Sequence, residues 1–213
     1  MEIIGNGLIS KAFKKTNFNN NFIVFASGVS NSRNKNDLNF QKEFNLLKET
    51  LNKFKYKHII YFSTCSLNDP EITKYKEHKK KIESYIIDNC GLYSIFRLPQ
   101  VVGVVNNNTL ISYLIRNLKY GNNILIYSKT TRHLLDVDDL TRISKIILNK
   151  GFSNKIIDIA PAHYVDVLSI VKFISIELNL EYKFNLVNNG FEQNILISTL
   201  ENVLGNNDKI FQK

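Results

Sequence analysis

Tyr75 and Lys79 stand four residues apart in the run Lys74-Tyr75-Lys76-Glu77-His78-Lys79, a spacing that puts both on one face of a helix. An ammonium beside a phenol favours the phenolate and lowers a pKa that is ~10 when unperturbed. A tyrosine so placed can pass a proton to or from a substrate hydroxyl while hydride moves at a nicotinamide. Thr64 lies eleven residues upstream, just past the apolar run His58–Ser63, and its hydroxyl is of the kind that holds the same substrate oxygen. The segment is also rich in lysine, with Lys74, Lys76, Lys79, Lys80 and Lys81. A solvated helix in which Tyr-x-x-x-Lys arises by chance has the same appearance.

A second pattern stands at the head of the chain. The apolar run Glu2–Ile4 leads directly into Gly5-Asn6-Gly7-Leu8-Ile9-Ser10, a G-x-G-x-x-S form of the dinucleotide fingerprint. The first glycine permits a tight turn and the second lets backbone approach a pyrophosphate. The third position needs only a small residue for packing helix on strand, and serine is one. Amides at the start of the following helix then face the phosphates. A purely structural strand–turn–helix uses the same glycines; its place at the head of an alternating chain favours the cofactor.

Other reactive residues offer less. His78 has charged neighbours and is expected at the surface, while His58, His133 and His163 stand apart from one another. No two histidines share ligand spacing with a carboxylate, so no metal site is expected. Cys65 and Cys90 have no paired spacing, which fits a reducing compartment and excludes a disulfide framework or a cysteine zinc site. Asp138 and Asp139 stand before a helix and are expected to cap it. With 28 Lys+Arg against 19 Asp+Glu the net charge is +9, a surplus that attracts polyanions and small phosphorylated ligands alike. The lysines are spread along the whole chain and no aromatic–basic interleaving marks a strand pair, so nucleic acid is not expected as a partner. No run of roughly 18 apolar residues marks a membrane span, and the N-terminus lacks the basic and apolar regions of a leader. A cytoplasmic location is expected.

The elements that must position these residues follow from hydrophobic period. Short apolar runs alternate with helical periods along the 213 residues, the pattern of an α/β fold with a parallel sheet and helices on both faces. Strands are predicted at Glu2–Ile4, Phe22–Ala26, His58–Ser63, Tyr93–Arg97, Ile124–Tyr127, Ile156–Ile159 and Tyr182–Leu186. Helices are predicted at Leu8–Thr16, Asp37–Phe54, Thr73–Asn89, Thr109–Leu118, Val137–Asn149, Val165–Leu178 and Ile197–Leu204. Phe40, Phe44, Leu47 and Leu51 recur at three- and four-residue steps and form one buried stripe. A change of texture near Asn106 divides a nucleotide-binding core, 1–105, from a segment, 106–213, that completes the core and forms a small C-terminal substrate lobe.

Two more blocks follow in order: Arg97-Leu98-Pro99-Gln100-Val101-Val102-Gly103 and Leu134-Leu135-Asp136-Val137-Asp138-Asp139-Leu140. With Gly5–Ser10 and with Thr64, Tyr75 and Lys79 they make four blocks in the order found in the extended short-chain dehydrogenase/reductases, the NAD-dependent epimerase/dehydratase family. The chain resembles that family from about Met1 to Ala160, as a shortened Rossmann-like member. The resemblance implies a redox step carried by Thr64, Tyr75 and Lys79. It implies NAD or NADP held by Gly5, Asn6, Gly7, Leu8 and Ile9, by Ala26, Ser27 and Gly28, by Ser63, Tyr75 and Lys79, and by Pro99 and Val101. A nucleotide-linked sugar is the implied substrate, with Cys65 and Arg132 as contacts and Arg132 reaching the diphosphate. The expected activity is that of a keto-sugar reductase or epimerase, in a homodimer. A non-catalytic dinucleotide sensor or partner-binding module of the same fold is the alternative.

The sequence departs from the family in two places. Between the first helix and the run His58–Ser63 there is room for one strand–helix unit only. Phe22–Ala26 then stands either for the family's fourth strand, with the second and third missing, or for its second, with Ser27, Ser32 and Arg33 near a 2′-phosphate and NADP favoured. The first register fits the following helix and strand without a gap. The other departure is Cys65-Ser66 directly after Thr64, where the family's dehydratases carry Asp-Glu; dehydration is therefore not expected.

Overall fold

Period-two alternation along the strands decides how the layers assemble. The computed structural model describes residues 1–18, 21–55, 57–104 and 109–205; the predicted boundary near Asn106 lies outside them. In chain order the first elements are β1 (Glu2–Ile4), α1 (Leu8–Lys14), β2 (Phe22–Phe25), α2 (Asp37–Lys53), β3 (His58–Thr64), α3 (Lys74–Asn89), β4 (Tyr93–Leu98), β5 (Gln100–Val102) and α4 (Leu110–Lys119). They are followed by β6 (Asn123–Tyr127), β7 (Thr131–Arg132), β8 (Leu134–Asp136), α5 (Val137–Asn149), β9 (Lys155–Asp158), β10 (Val165–Asp166), α6 (Val167–Leu178), β11 (Lys183–Val187) and α7 (Ser198–Leu204). A 3₁₀ turn, Cys65–Asn68, joins β3 to the approach to α3.

Five strands form one parallel sheet in the order β1-β2-β3-β4-β9. Successive strand residues point to opposite faces. Val24, Ile60, Phe62, Phe96 and Ile157 enter one core with Phe13 of α1, Leu140, Ile143 and Ile147 of α5 and Leu200 and Val203 of α7. Their neighbours Phe25, Ile59, Tyr61 and Ile95 enter the other with Leu47 of α2 and Ile82 and Ile86 of α3. A sheet buried on both faces reads as continuous apolar runs, which is what Phe22–Phe25 and His58–Phe62 are. A third core sits apart from these: Leu114 and Leu118 of α4, Ile124 and Ile126 of β6 and Val167, Ile170, Val171 and Ile174 of α6. There β6 pairs in parallel with β11, Asn123 opposite Lys183.

The sheet order settles the register of Phe22–Phe25. In a doubly wound sheet of order 3-2-1-4-5 the second strand lies outside the first, and the fourth lies between the first and the fifth. Here β2 pairs with β1 on one side and β3 on the other, the place of the fourth strand. Nothing pairs with the outer edge of β1 among the described residues, so the half-sheet that would carry an acidic ribose contact is absent from them.

Helix starts follow side-chain capping. Asn36, Thr73, Thr109, Asp136 and Asp166 each accept a backbone N–H of the first turn, satisfying amides that have no partner within the helix. This corrects two expectations. Asp136 rather than Asp138 or Asp139 caps α5, at 2.7 Å from the Asp138 amide, and Asp139 bonds Arg142 at 2.7 Å. Val165 and Asp166 are not helical; they pair with β7, and Asp166 caps α6. The two- and three-residue strands β5, β7, β8 and β10 were not predicted.

Candidate functional site

The parallel strands end together, and the loops leaving them gather the residues singled out by type. The glycine turn joins β1 to α1. Gly5 has φ +123°, and a Cβ there would stand 2.4 Å from the Ala26 carbonyl oxygen and 3.0 Å from the Ser27 nitrogen. Only glycine permits this approach, which seats the first turn on the end of β2. Ala26 donates its amide to the Ile4 carbonyl at 2.8 Å, continuing the strand pairing to that point. Gly7 is different. A Cβ on it would meet nothing within 4 Å, so its backbone lies open. Ser10, the third small position, is fully buried and donates its hydroxyl to the Gly7 carbonyl at 2.9 Å. Ile9 and Val101 pack on the α1/α5 core, and Leu8 lies against Gly103, where a Cβ would come within 2.8 Å of it. An open backbone at Gly7 over a tightly seated Gly5 fits the pyrophosphate of a dinucleotide. Among the described residues the adenosine half has no platform beyond β1.

Tyr75 and Lys79 lie on the buried face of α3, with Ile82 and Ile86 below them. The Lys79 ammonium is 5.9 Å from the centre of the Tyr75 ring, so the helix brings the pair together. Thr64 accepts the Ser66 amide at 3.1 Å and shares a hydrogen bond with the Ser66 hydroxyl at 2.9 Å, which fixes it at the end of β3. The Ser63 hydroxyl is buried without a partner among the described residues.

A buried network around Lys79 was not foreseen. Glu43 of α2 reaches across to α3, and each of its oxygens accepts two hydrogen bonds. Oε1 takes the Tyr61 hydroxyl at 3.0 Å and Lys79 Nζ at 3.0 Å. Oε2 takes the Val29 amide at 2.7 Å and His78 Nε2 at 2.9 Å. Lys79 also donates to the Tyr61 hydroxyl at 2.9 Å. Burial alone would raise the Glu43 pKa, but the Lys79 charge and the bonds from His78 and Val29 outweigh it and hold the carboxyl at about 2. Burial and the Glu43 charge push the Tyr61 phenol well above its ordinary value, so it is a donor to the carboxylate. His78, expected at the surface, is buried against the Phe40 ring at 4.7 Å. Gly28 closes over the network: a Cβ on it would stand 2.8 Å from Glu43 Oε1 and 2.9 Å from Lys79 Nζ. A cleft lined by Ser27, Gly28, Ser30, Asn34, Asn39 and Lys42 opens beside it.

The two substrate contacts part company. Cys65 is fully buried against Ala160 and Ile195, and burial, with the Asp158 charge, pushes its thiol far up. It is a packed thiol facing no open space. Arg132 is half-buried and donates to the Thr131 carbonyl at 2.7 Å. Burial lowers its pKa, the Asp69 charge opposes that, and the Arg33 charge adds to it. Glu43, Tyr61 and His78 are the residues the spacing of motifs did not reveal. Pro99 sits in the half-buried link between β4 and β5. No three His, Cys, Asp or Glu among the described residues are grouped to hold a metal, and no helix among them is long and apolar enough to cross a membrane.

No curated protein matches the sequence. Solved structures do match in fold. A UDP-N-acetylglucosamine 4-epimerase from Methanobrevibacter ruminantium M1, in complex with UDP-N-acetylmuramic acid, has a TM-score of 0.66 at 15% identity, over 90% of this chain and 73% of that one. The UDP-glucose 4-epimerase of Thermotoga maritima, with UDP-glucose, gives 0.69 at 13% identity, over 85% and 70%. A dTDP-glucose 4,6-dehydratase from Streptomyces venezuelae, with NAD bound, gives 0.71 at 14%, over 85% and 66%. At such identities the likeness is one of fold. The sequence itself matches the family described as "NAD dependent epimerase/dehydratase" over residues 22–160, a stretch that holds Thr64, Tyr75, Lys79, Pro99, Val101 and Arg132 and starts after the glycine turn. More than half of the chain lies in that match, and on it the chain belongs to the NAD-dependent epimerase/dehydratase family.

Proposed function

We propose that this protein is an NAD(P)-dependent oxidoreductase acting on a nucleotide-linked sugar, as a keto-sugar reductase or an epimerase. The observation that carries this reading is the pairing of Tyr75 and Lys79 on one face of α3, a helix packed against β3, the strand that ends in Thr64. Bound nicotinamide supplies or accepts the hydride. Gly5 and Gly7 admit the dinucleotide's pyrophosphate, with Leu8, Ile9, Ala26, Ser27 and Gly28 around it. The Tyr75 hydroxyl holds and moves the proton at the substrate oxygen, and Thr64 Oγ1 holds that oxygen in place. Arg132 meets the diphosphate of the sugar nucleotide, whose two negative charges suit the +9 chain. The neighbours' sugar-nucleotide ligands support this substrate class. Cys65 and Ser66 follow Thr64 where an elimination of water needs an acid and a base, so dehydration is not part of the proposal. The lobe built on α4, β6, α6 and β11 is assigned to the sugar end, and the working unit to a homodimer.

Incubation of the full chain with NADH or NADPH and a 4-keto nucleoside-diphosphate sugar tests the reading. Oxidation of the reduced cofactor with a new hydroxyl at C4 is expected of a reductase. Interconversion of C4 epimers with catalytic NAD is expected of an epimerase. The absent adenosine platform favours a second reading, a dinucleotide sensor, for which binding of NAD occurs and no nucleotide sugar turns over.

A further inference from the structure

Among the buried groups, the environment of Lys79 says more than the proposed reaction requires. An ammonium has three N–H donors, and two of those on Lys79 are taken, by Glu43 Oε1 and the Tyr61 hydroxyl. Both partners sit on elements other than α3, one on α2 and one on β3, and both are buried. Glu43 is itself held at every lone pair, so it has a single orientation to impose. The ammonium lies directly under Gly28, the one residue of that loop whose missing side chain leaves room for it. Tyr75, one helical turn away, is at the reacting end of the site. Lys79 Nζ is 5.9 Å from the centre of the Tyr75 ring, so the ammonium that carries the remaining donor is close to the reacting phenol.

We propose that Glu43 is a positioning residue: with Tyr61 it anchors the Lys79 ammonium beneath Gly28 and presents its remaining N–H to the nicotinamide-bearing ribose of the dinucleotide. A lysine side chain free in solution carries much rotamer entropy, and two fixed acceptors remove that disorder before the ligand arrives. The carboxylate also offsets the lysine's charge locally, so that the donor is held as a directed hydrogen bond rather than as a loose point charge. This rests on the reading of the site as one for NAD, and it adds to it a residue from outside the family motifs.

Glu43→Gln keeps the shape and removes the charge. Calorimetric titration of the full chain with NAD and, separately, with ADP reads the consequence, because ADP lacks the nicotinamide-bearing ribose. The variant is expected to lose about tenfold in NAD affinity, the size of one hydrogen bond to a charged group, with ADP affinity unchanged. Acetylation of Lys79 by acetic anhydride, located by mass spectrometry, is expected to become several-fold faster in the variant. Equal weakening toward NAD and ADP overturns the proposal, because a loosened scaffold acts on both, and so does a Lys79 acetylation rate equal to that of the wild type. If the wild type binds neither NAD nor ADP, the cofactor reading fails, and the Lys79 rate alone decides whether Glu43 anchors the lysine. Tyr61→Phe removes the second anchor and leaves the carboxylate; it carries the same two measurements if Glu43→Gln does not fold.

Discussion

Glu43 is a charge placed where the period of α2 calls for a core residue. Its folded pKa of about 2 lies below the ordinary 4.5, so the stabilisation it brings is complete above pH 4.5 and is lost as pH falls toward 2. The difference corresponds to about 3 kcal/mol at neutral pH. Urea unfolding at pH 7 and pH 3 should show a loss of stability on acidification that Glu43→Gln largely lacks. Glu43→Ala strands Lys79 and His78 and should cost about 3–5 kcal/mol. Tyr75→Phe keeps the ring's packing and removes the phenol; turnover should vanish while dinucleotide titration is unaltered, and near-normal turnover would remove Tyr75 from the mechanism. The four-residue spacing of Tyr75 and Lys79 was legible, because it is local to one helix. The partner of Lys79 was harder to see, although a trace of it was there: Glu43 is three residues after Phe40 and four before Leu47, on the same stripe. His78, likewise, is four residues before Ile82. A charged or polar residue on an apolar stripe announces a buried partner, and judging His78 by its sequence neighbours instead of its helix neighbours sent it to the surface.

Among the elements, the glycine turn separates two roles that its motif runs together. Gly5 is held at φ +123° against the Ala26 carbonyl, so Gly5→Ala should destabilise the fold by about 1–3 kcal/mol, read as a lower urea midpoint. Gly7 faces open space; Gly7→Val should leave the midpoint close to wild type and abolish dinucleotide binding in calorimetry. Unchanged affinity would make the turn purely structural. The long helices and the strands of the main sheet were legible to within about two residues because period and capping act locally. The Leu8–Lys14 helix ends two residues short of its predicted span, and β5, β7, β8 and β10 escaped notice. Strands of two or three residues exist only through a partner distant in sequence, such as Gln100 opposite Leu134, and carry no period of their own.

For the molecule as a whole, the missing half-sheet governs how a cofactor is kept. The two registers open to Phe22–Phe25 could not be separated by local pattern, since either strand is a short apolar run; only its neighbours in the sheet decide. With β1 at the edge, the adenosine end of a dinucleotide has little to rest on, and binding should be weak and exchangeable. A reductase must release oxidised cofactor every cycle, whereas an epimerase must retain the reduced form while its keto intermediate turns over. The edge therefore favours the reductase of the two proposed activities. Purified protein should lose NAD on extensive dialysis, as followed by absorbance and mass spectrometry; stoichiometric NAD surviving dialysis would move the assignment to an epimerase.

The chain visits the α4/β6/α6/β11 lobe twice, and in between it returns to the main sheet through α5 and β9. Asn123 of β6 has to wait for Lys183 of β11, which a ribosome adding ~5–20 residues per second delivers roughly 3–12 s later. For that interval the apolar residues Ile124 and Ile126 have no paired strand to shelter them, and the nascent chain carries an open edge of the sort that chaperones bind and that neighbouring chains on a polysome can capture. The yield of folded protein should thus depend on how fast the stretch of message for residues 124–183 is translated.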